Sequence, residues 1–225
     1  ADILLCEDTR VTKKLIQILK DRYNTDFKPD QQFISLHSHN EDAFIDKLQN
    51  DLFEQNVVYV SDAGMPGISD PGAKLVDYCI KNNITYDVLP GANAPLSAFV
   101  ASGFIQSRFL FFGFLDHKGN SRSIQLQEAM YNGYTTILYE SPHRIEKLLL
   151  EIKELEPSRE LFVAKELTKK FQRYIRGNAD EILKKLAKNF KGEWVVVIKG
   201  AKKQNSSAIT QNDILSLNIP TKAKA

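Results

Sequence analysis

Short β-rich apolar runs alternate with amphipathic helical stretches along nearly the whole chain, which restricts the fold to α/β layers with right-handed crossovers. Residues 3–6, 33–36 and 57–60 read as strands, the last a continuous apolar run of the kind buried in a parallel sheet. Further strands are predicted over 84–89, 109–112, 135–139, 161–164 and 194–198, with an extra one over 171–177 that makes a mixed sheet plausible in the second half. A helix from Thr9 places Val11, Leu15, Ile18 and Leu19 on one face, and a helix capped by Asn40 carries Phe44, Ile45, Leu48 and Leu52. Helices are also predicted over 72–81, 95–101, 121–131, 144–154 and 179–189.

The polar, glycine-containing stretch 103–108 is the best candidate for a domain boundary. The expected organisation is an N-terminal α/β domain over 1–107 and a C-terminal α/β domain over 108–200. Residues 201–225 then hold a linker and the start of a helical element capped at Thr210. At 225 residues the chain is long enough to bury real cores, and no apolar run approaches the ~20 residues that span a bilayer. Cys6 and Cys79, each inside an apolar stretch, make no disulfide framework and fit a reducing, cytoplasmic setting. Because the sequence enters a strand at Ile3 without a starting Met and closes on Thr221–Ala225 with no stop signal, it is expected to lack residues at both ends.

Chemistry-bearing residues gather where strands end. Ser61-Asp-Ala-Gly-Met-Pro-Gly-Ile-Ser-Asp-Pro-Gly72 is too long for a plain strand-to-helix connection, so Asp62-Ala63-Gly64 suggests a ligand site at the carboxyl edge of a sheet. Its far end reads as Asp70 capping a helix with Pro71 in the first turn. Leu89-Pro-Gly-Ala-Asn-Ala-Pro95 is a second small-residue loop, and Gly91 lets a ligand approach the backbone. No Walker lysine loop and no G-x-G-x-x-G accompany them. Tyr139-Glu-Ser-Pro-His-Arg144 and Ala164-Lys-Glu-Leu-Thr168 set charged and hydroxyl groups at two more strand ends. Glu7-Asp-Thr-Arg10 is either an acidic first turn capped by Thr9 or part of a cleft lining. His37 and His39 lack a third ligand in pattern, so no metal is expected.

These segments carry a family resemblance. SDAGMPGISDPG, with CEDTR at 6–10, HSHNE at 37–41, PGANA at 90–94, FFGFL at 111–115, YESPHR at 139–144, AKELTK at 164–169 and GEW at 192–194, resembles the small-subunit ribosomal RNA methyltransferases of the tetrapyrrole methylase superfamily. The resemblance implies two α/β domains with a mainly parallel N-terminal and a mixed C-terminal sheet, S-adenosylmethionine in the cleft between them, and a homodimer. It implies methyl transfer to the ribose 2′-hydroxyl of a cytidine in the decoding region of 16S rRNA, with the small ribosomal subunit as partner. Carried over by position, it assigns the cofactor to Asp62, Ala63, Gly64, Pro66, Pro90, Gly91, Ala94, Gly113, Phe114, Tyr139, Ser141, Ala164 and Gly192. Lys165 and Glu166 are the expected catalytic pair, assisted by Glu140 or His143, because a ribose hydroxyl needs a base or a stabilising cation. Arg10, His37, His39, Arg144, Lys169 and Arg173 are expected to face RNA. The family's opening strand and Thr-Pro-Ile-Gly-Asn loop have no counterpart in the sequence. A methylase of tetrapyrroles or other small molecules on the same fold and a non-catalytic RNA-binding module are the alternatives.

The formal net charge of +2 conceals an asymmetry that favours RNA. Residues 1–164 hold 16 Lys plus Arg against 23 Asp plus Glu, a net of −7, whereas residues 165–225 hold 14 against 5, a net of +9.

Overall fold

The computed structural model describes residues 1–201, which fall into two compact units, Ala1–Ala94 and the part from Pro95 onward. The division precedes the expected boundary near 107 because the helix Ala94–Ser102 is tied to the second unit. Arg176 donates to the Ser102 carbonyl at 3.0 Å and lies over the Phe104 ring at 4.9 Å. The segment predicted to continue past Gly200 lies outside the described residues, apart from Ala201.

The first unit contains β1 (Ile3–Cys6), α1 (Thr9–Tyr23), β2 (Gln32–Ser35), α2 (Glu41–Lys47), a 3-10 turn (Asn50–Glu54), β3 (Val57–Val60) and α3 (Ala73–Lys81). The three strands form a parallel sheet in the order β2-β1-β3, so all three chain exits lie on one edge. Ile3 and Leu5 are buried with Leu36 and Leu75 beneath Phe44, Ile45, Leu48 and Leu52, the apolar residues predicted for the second helix. That helix breaks at Leu48 and resumes as the 3-10 turn.

Five expectations need correction. The segment 84–89 forms no strand, although its residue types favour one. A strand exists only as a pair, and the outer edge of β3 has no partner among the described residues, leaving Tyr86, Val88 and Leu89 exposed. On α1, Val11, Leu15 and Ile18 are exposed and Thr12 is the buried residue. Asp8 rather than Thr9 caps α1, accepting from the Arg10 N–H at 2.8 Å. Gly72 rather than Asp70 precedes α3, and its N–H is satisfied by the Glu41 carboxylate at 2.9 Å. Asn40 does precede α2, but its Oδ1 accepts from the His37 N–H instead of capping the helix.

The second unit contains α4 (Ala94–Ser102), β4 (Phe109–Phe114), α5 (Gly119–Tyr131), β5 (Thr135–Glu140), α6 (Ile145–Leu155), β6 (Leu161–Lys165), β7 (Arg173–Gly177), α7 (Ala179–Leu186) and β8 (Trp194–Ile198). Its mixed sheet has the order β4-β5-β8-β6-β7. β8 is antiparallel to both β5 and β6, so β4, β5 and β6 all end on the same edge. Leu138, Val163, Val196 and Ile198 pack against Leu126, Leu148, Leu149, Ile152, Ile182 and Leu186, burying one sheet face under α5, α6 and α7. No helix among the described residues is long and apolar enough to cross a membrane.

Candidate functional site

In the first unit, parallel pairing of β1 with β3 brings Glu7-Asp8 beside Ser61–Gly64. The two exits clasp each other: the Asp62 N–H donates to the Glu7 carboxylate at 3.1 Å, and Asp62 Oδ1 accepts from the Asp8 N–H at 3.2 Å. Gly64 adopts φ of 82°, and a Cβ there would stand 3.3 Å from the Ala92 carbonyl oxygen. A side chain at Gly64 would therefore be strained in the backbone and crowded against the neighbouring loop. Asp62, Ala63, Gly64 and the Pro90-Gly91-Ala92 loop are thus adjacent, with Pro66 farther along the first loop and Ala94 starting α4. The surroundings are acidic. Burial, then the charges of Glu7 and Asp62, push the Asp70 carboxyl above its ordinary value.

Arg10 adjoins this clasp through Asp8. The exposed Arg10 guanidinium forks onto Asp8 at 2.6 Å, and this contact holds the Asp8 carboxyl at about 2. His37 and His39 meet edge to face at 6.0 Å, with His37 Nδ1 buried and without a hydrogen-bond partner among the described residues.

In the second unit, sheet register assembles the rest. Phe114 pairs with Tyr139 across β4 and β5, and a register shift between Phe111 and Gly113 accompanies two ring contacts onto Tyr139 at 5.2 and 5.4 Å. Glu140 and Lys165 both pair with Trp194, so the two charged strand ends flank one tryptophan in a single row. Their environments differ. The Glu140 side chain is fully buried, with Oε1 accepting from the Ser141 N–H and Arg144 Nε, both at 2.8 Å, and Oε2 3.5 Å from Arg122. Arg122 in turn meets Glu151 at 2.8 Å and the Asp116 carbonyl at 3.0 Å. Arg144, expected to face RNA, points inward, donating to the Leu115 carbonyl at 3.1 Å. His143 is exposed on the same turn. Sequence reading missed Arg122 and Glu151, since only tertiary packing aligns α5 and α6 with the end of β5.

Lys165 is buried, its Nζ donating to the Asn189 side chain at 3.1 Å and backbone at 3.3 Å and lying 5.3 Å from the Trp194 ring centre. Beside it, Glu166 Oε1 accepts from the Glu193 N–H at 2.8 Å while the Glu166 N–H donates to the Glu193 carbonyl at 2.9 Å. The Glu193 backbone donor, then Lys169, hold the Glu166 carboxyl below its ordinary value. Gly192, with φ of 105°, makes the clasp possible, because a Cβ there would approach Glu166 Cγ to 2.7 Å. Lys169 spans Glu166 and Glu193 at 3.3 and 2.8 Å. Lys165, Glu166 and Gly192 line a groove of about 610 Å3 that also takes in Lys170, Phe171, Arg173, Asn189 and Lys191.

The profile of the family described as Tetrapyrrole (Corrin/Porphyrin) Methylases matches residues 1–183. The chain belongs to the tetrapyrrole methylase family. Within it, the chain is similar to proteins called ribosomal RNA small subunit methyltransferase I. The one from Campylobacter fetus subsp. fetus (strain 82-40) is 46% identical over 226 residues, covering all of this chain and 83% of the relative. The one from Helicobacter pylori (strain J99 / ATCC 700824) is 41% identical over 237 residues, covering all of this chain and 82% of the relative. Solved structures agree at the level of fold. A cobalt precorrin-4 methyltransferase superposes with a TM-score of 0.59 at 14% identity, over 88% of this chain and 83% of that one. Uroporphyrin-III C-methyltransferase from Thermus thermophilus, complexed with S-adenosylhomocysteine, gives 0.53 at 13% identity, over 88% of this chain and 85% of that one. Both tetrapyrrole methylase sheets thus take the expected forms, a parallel N-terminal and a mixed C-terminal one.

Proposed function

We propose that this tetrapyrrole methylase family member transfers a methyl group from S-adenosylmethionine to ribosomal RNA, at the ribose 2′-hydroxyl of a cytidine in 16S rRNA. It acts on the small ribosomal subunit in the cytoplasm, as a homodimer. The carrying observation is the 46% identity, along the whole chain, to a protein called ribosomal RNA small subunit methyltransferase I. The residues fit the cofactor. Asp62, Ala63, Gly64, Pro90 and Gly91 offer backbone without bulky side chains, and Asp62, Glu7 and Asp70 supply negative charge suited to a sulfonium and an ammonium. Pro66 and Ala94 extend that loop pair. In the second unit, Gly113, Phe114, Tyr139, Ser141, Ala164 and Gly192 present backbone and ring surface on the edge where the strands end. The cofactor supplies an electrophilic methyl group carried on sulfur.

The protein's own part is to hold and deprotonate the hydroxyl. Lys165, anchored by Asn189 through two of its three donors, directs the remaining one at the ribose oxygen and stabilises the charge that develops there. Glu166 Oε2, unused by the Glu193 clasp, accepts the hydroxyl proton as the new C–O bond forms and the C–S bond breaks. Glu140 acts through Ser141 and Arg144 as a positioning residue. Arg10, His37, His39 and Arg173 contact RNA, whereas Lys169 contributes by holding Glu166. Single-turnover methylation of small ribosomal subunits tests the pair. Lys165→Ala and Glu166→Gln are each expected to lower the rate at saturating cofactor by about 100-fold or more. Rates equal to wild type would remove both from the chemistry.

A further inference from the structure

Chain position alone gives the C-terminal half its basic excess, but much of that excess is already spent. Arg176 and Lys199 both pair with Glu160, Lys184 pairs with Asp180, and Lys169 pairs with Glu166 and Glu193. Lys170, Arg173 and Lys191 have no carboxylate partner among the described residues, and all three line the groove beside Lys165. The one carboxylate on that lining, Glu166, is engaged by the Glu193 N–H and Lys169. The groove wall also presents Phe171, 70% exposed, with Lys170 5.6 Å from its ring centre. Its ring therefore stands in solvent amid cations that lack a carboxylate partner among the described residues.

The two loops that build the groove are held in uncommon backbone shapes. Glu166 and Thr168 in the first, and Ala187 and Lys188 in the second, adopt φ of 50°, 64°, 48° and 64°, four of the six non-glycine residues with positive φ among the described residues. Thr168 is β-branched, for which this conformation is unfavourable. It is kept by the Gln172 side chain, which accepts from its N–H at 2.6 Å. The Thr168–Gln172 contact closes the loop across Lys170 and Phe171.

We propose that this groove seats a single-stranded nucleotide segment of the RNA substrate, one base stacking on Phe171 and its flanking phosphates meeting Lys170, Arg173 and Lys191. A flat exposed ring among unpartnered cations is the pairing that binds unstacked nucleotides with little sequence preference. It places the ribose of that segment beside Lys165, and it rests on the reading of the chain as an RNA methyltransferase.

The test measures binding of fluorescein-labelled oligocytidylate by anisotropy, together with methylation of small ribosomal subunits, for wild type, Phe171→Ala, Phe171→Trp and Lys191→Glu. S-adenosylmethionine affinity and thermal unfolding serve as controls. Phe171→Ala is expected to weaken oligocytidylate binding about 10- to 100-fold, Phe171→Trp to restore it, and Lys191→Glu to weaken it. Cofactor affinity is expected to remain at the wild-type level in all of them. Wild-type binding by both Phe171→Ala and Lys191→Glu, or no oligocytidylate binding by the wild-type protein, overturns the groove. Phe171-dependent binding without methylation of ribosomal subunits supports the groove and instead overturns the assigned reaction.

Discussion

Replacing Glu140 with alanine separates a structural carboxylate from a catalytic base. The Glu140 side chain has no exposure, and it meets Arg144, whose side chain is 15% exposed, and Arg122, 2% exposed. Removing one partner of a buried ion pair costs roughly 3–5 kcal/mol, because the other charge stays behind uncompensated. Here the lower end applies. Arg122 keeps Glu151 at 2.8 Å, and Arg144 keeps the Leu115 carbonyl at 3.1 Å. About 3 kcal/mol at roughly 2–4 °C per kcal/mol for a chain of this size lowers Tm by about 6–12 °C. Glu140→Gln retains an acceptor for the Ser141 N–H but loses the charge, and is expected to cost about 1–2 kcal/mol. Circular dichroism melting and steady-state methylation of the two variants are the assay. A Tm for Glu140→Ala within about 2 °C of wild type, or a large fall in kcat for Glu140→Gln with an unchanged Tm, would refute the positioning role.

Gly192→Ala is expected to lose about 1–3 kcal/mol of stability, from positive φ and the collision with Glu166. Methylation should fall further than Tm explains, which kcat measured well below the melting range checks. Asp70 has a folded-state pKa raised above the unfolded 3.8, so ionising it disfavours the fold. That penalty is absent below the unfolded value and develops as pH rises through the folded one. Asp70→Asn should therefore raise Tm at neutral pH and leave it unchanged in strong acid, as melts across pH would record. With Lys170, Arg173 and Lys191 neutralising three phosphates, log affinity for single-stranded RNA should fall against log salt with a slope of about −2. An anisotropy series in potassium chloride measures it, and Lys191→Glu should flatten it.

The alternating apolar pattern located the eight strands found among the described residues, because their buried faces carry the period that residue types report. It failed at 84–89 and on the apolar face of α1, where composition states a tendency to be covered but pairing and packing decide whether anything covers it. Strand ends were legible as clusters of charged residues after buried runs, which rarely lack a structural or functional use. Their division of labour was not. Glu140 and Lys165 occupy matching register positions beside Trp194, yet one is locked by Arg122 and Arg144 while the other leads into an open groove. Arg122 stands in the middle of an ordinary helical pattern, and only the fold turns it onto Glu140. The charge split marked residues 165–225 as basic but could not say which of their cations are free. The structure then separates cations spent on Glu160, Asp180 and Glu193 from those facing the groove.

Methyl transfer to the ribose hydroxyl is tested by incubating the protein with isotopically labelled S-adenosylmethionine and unmethylated small ribosomal subunits, digesting the RNA to nucleosides and resolving them by mass spectrometry. Label is expected in 2′-O-methylcytidine from 16S rRNA and is expected to be lost in Lys165→Ala. Label on a base, or no label in RNA while a porphyrin precursor offered in parallel is methylated, would contradict it.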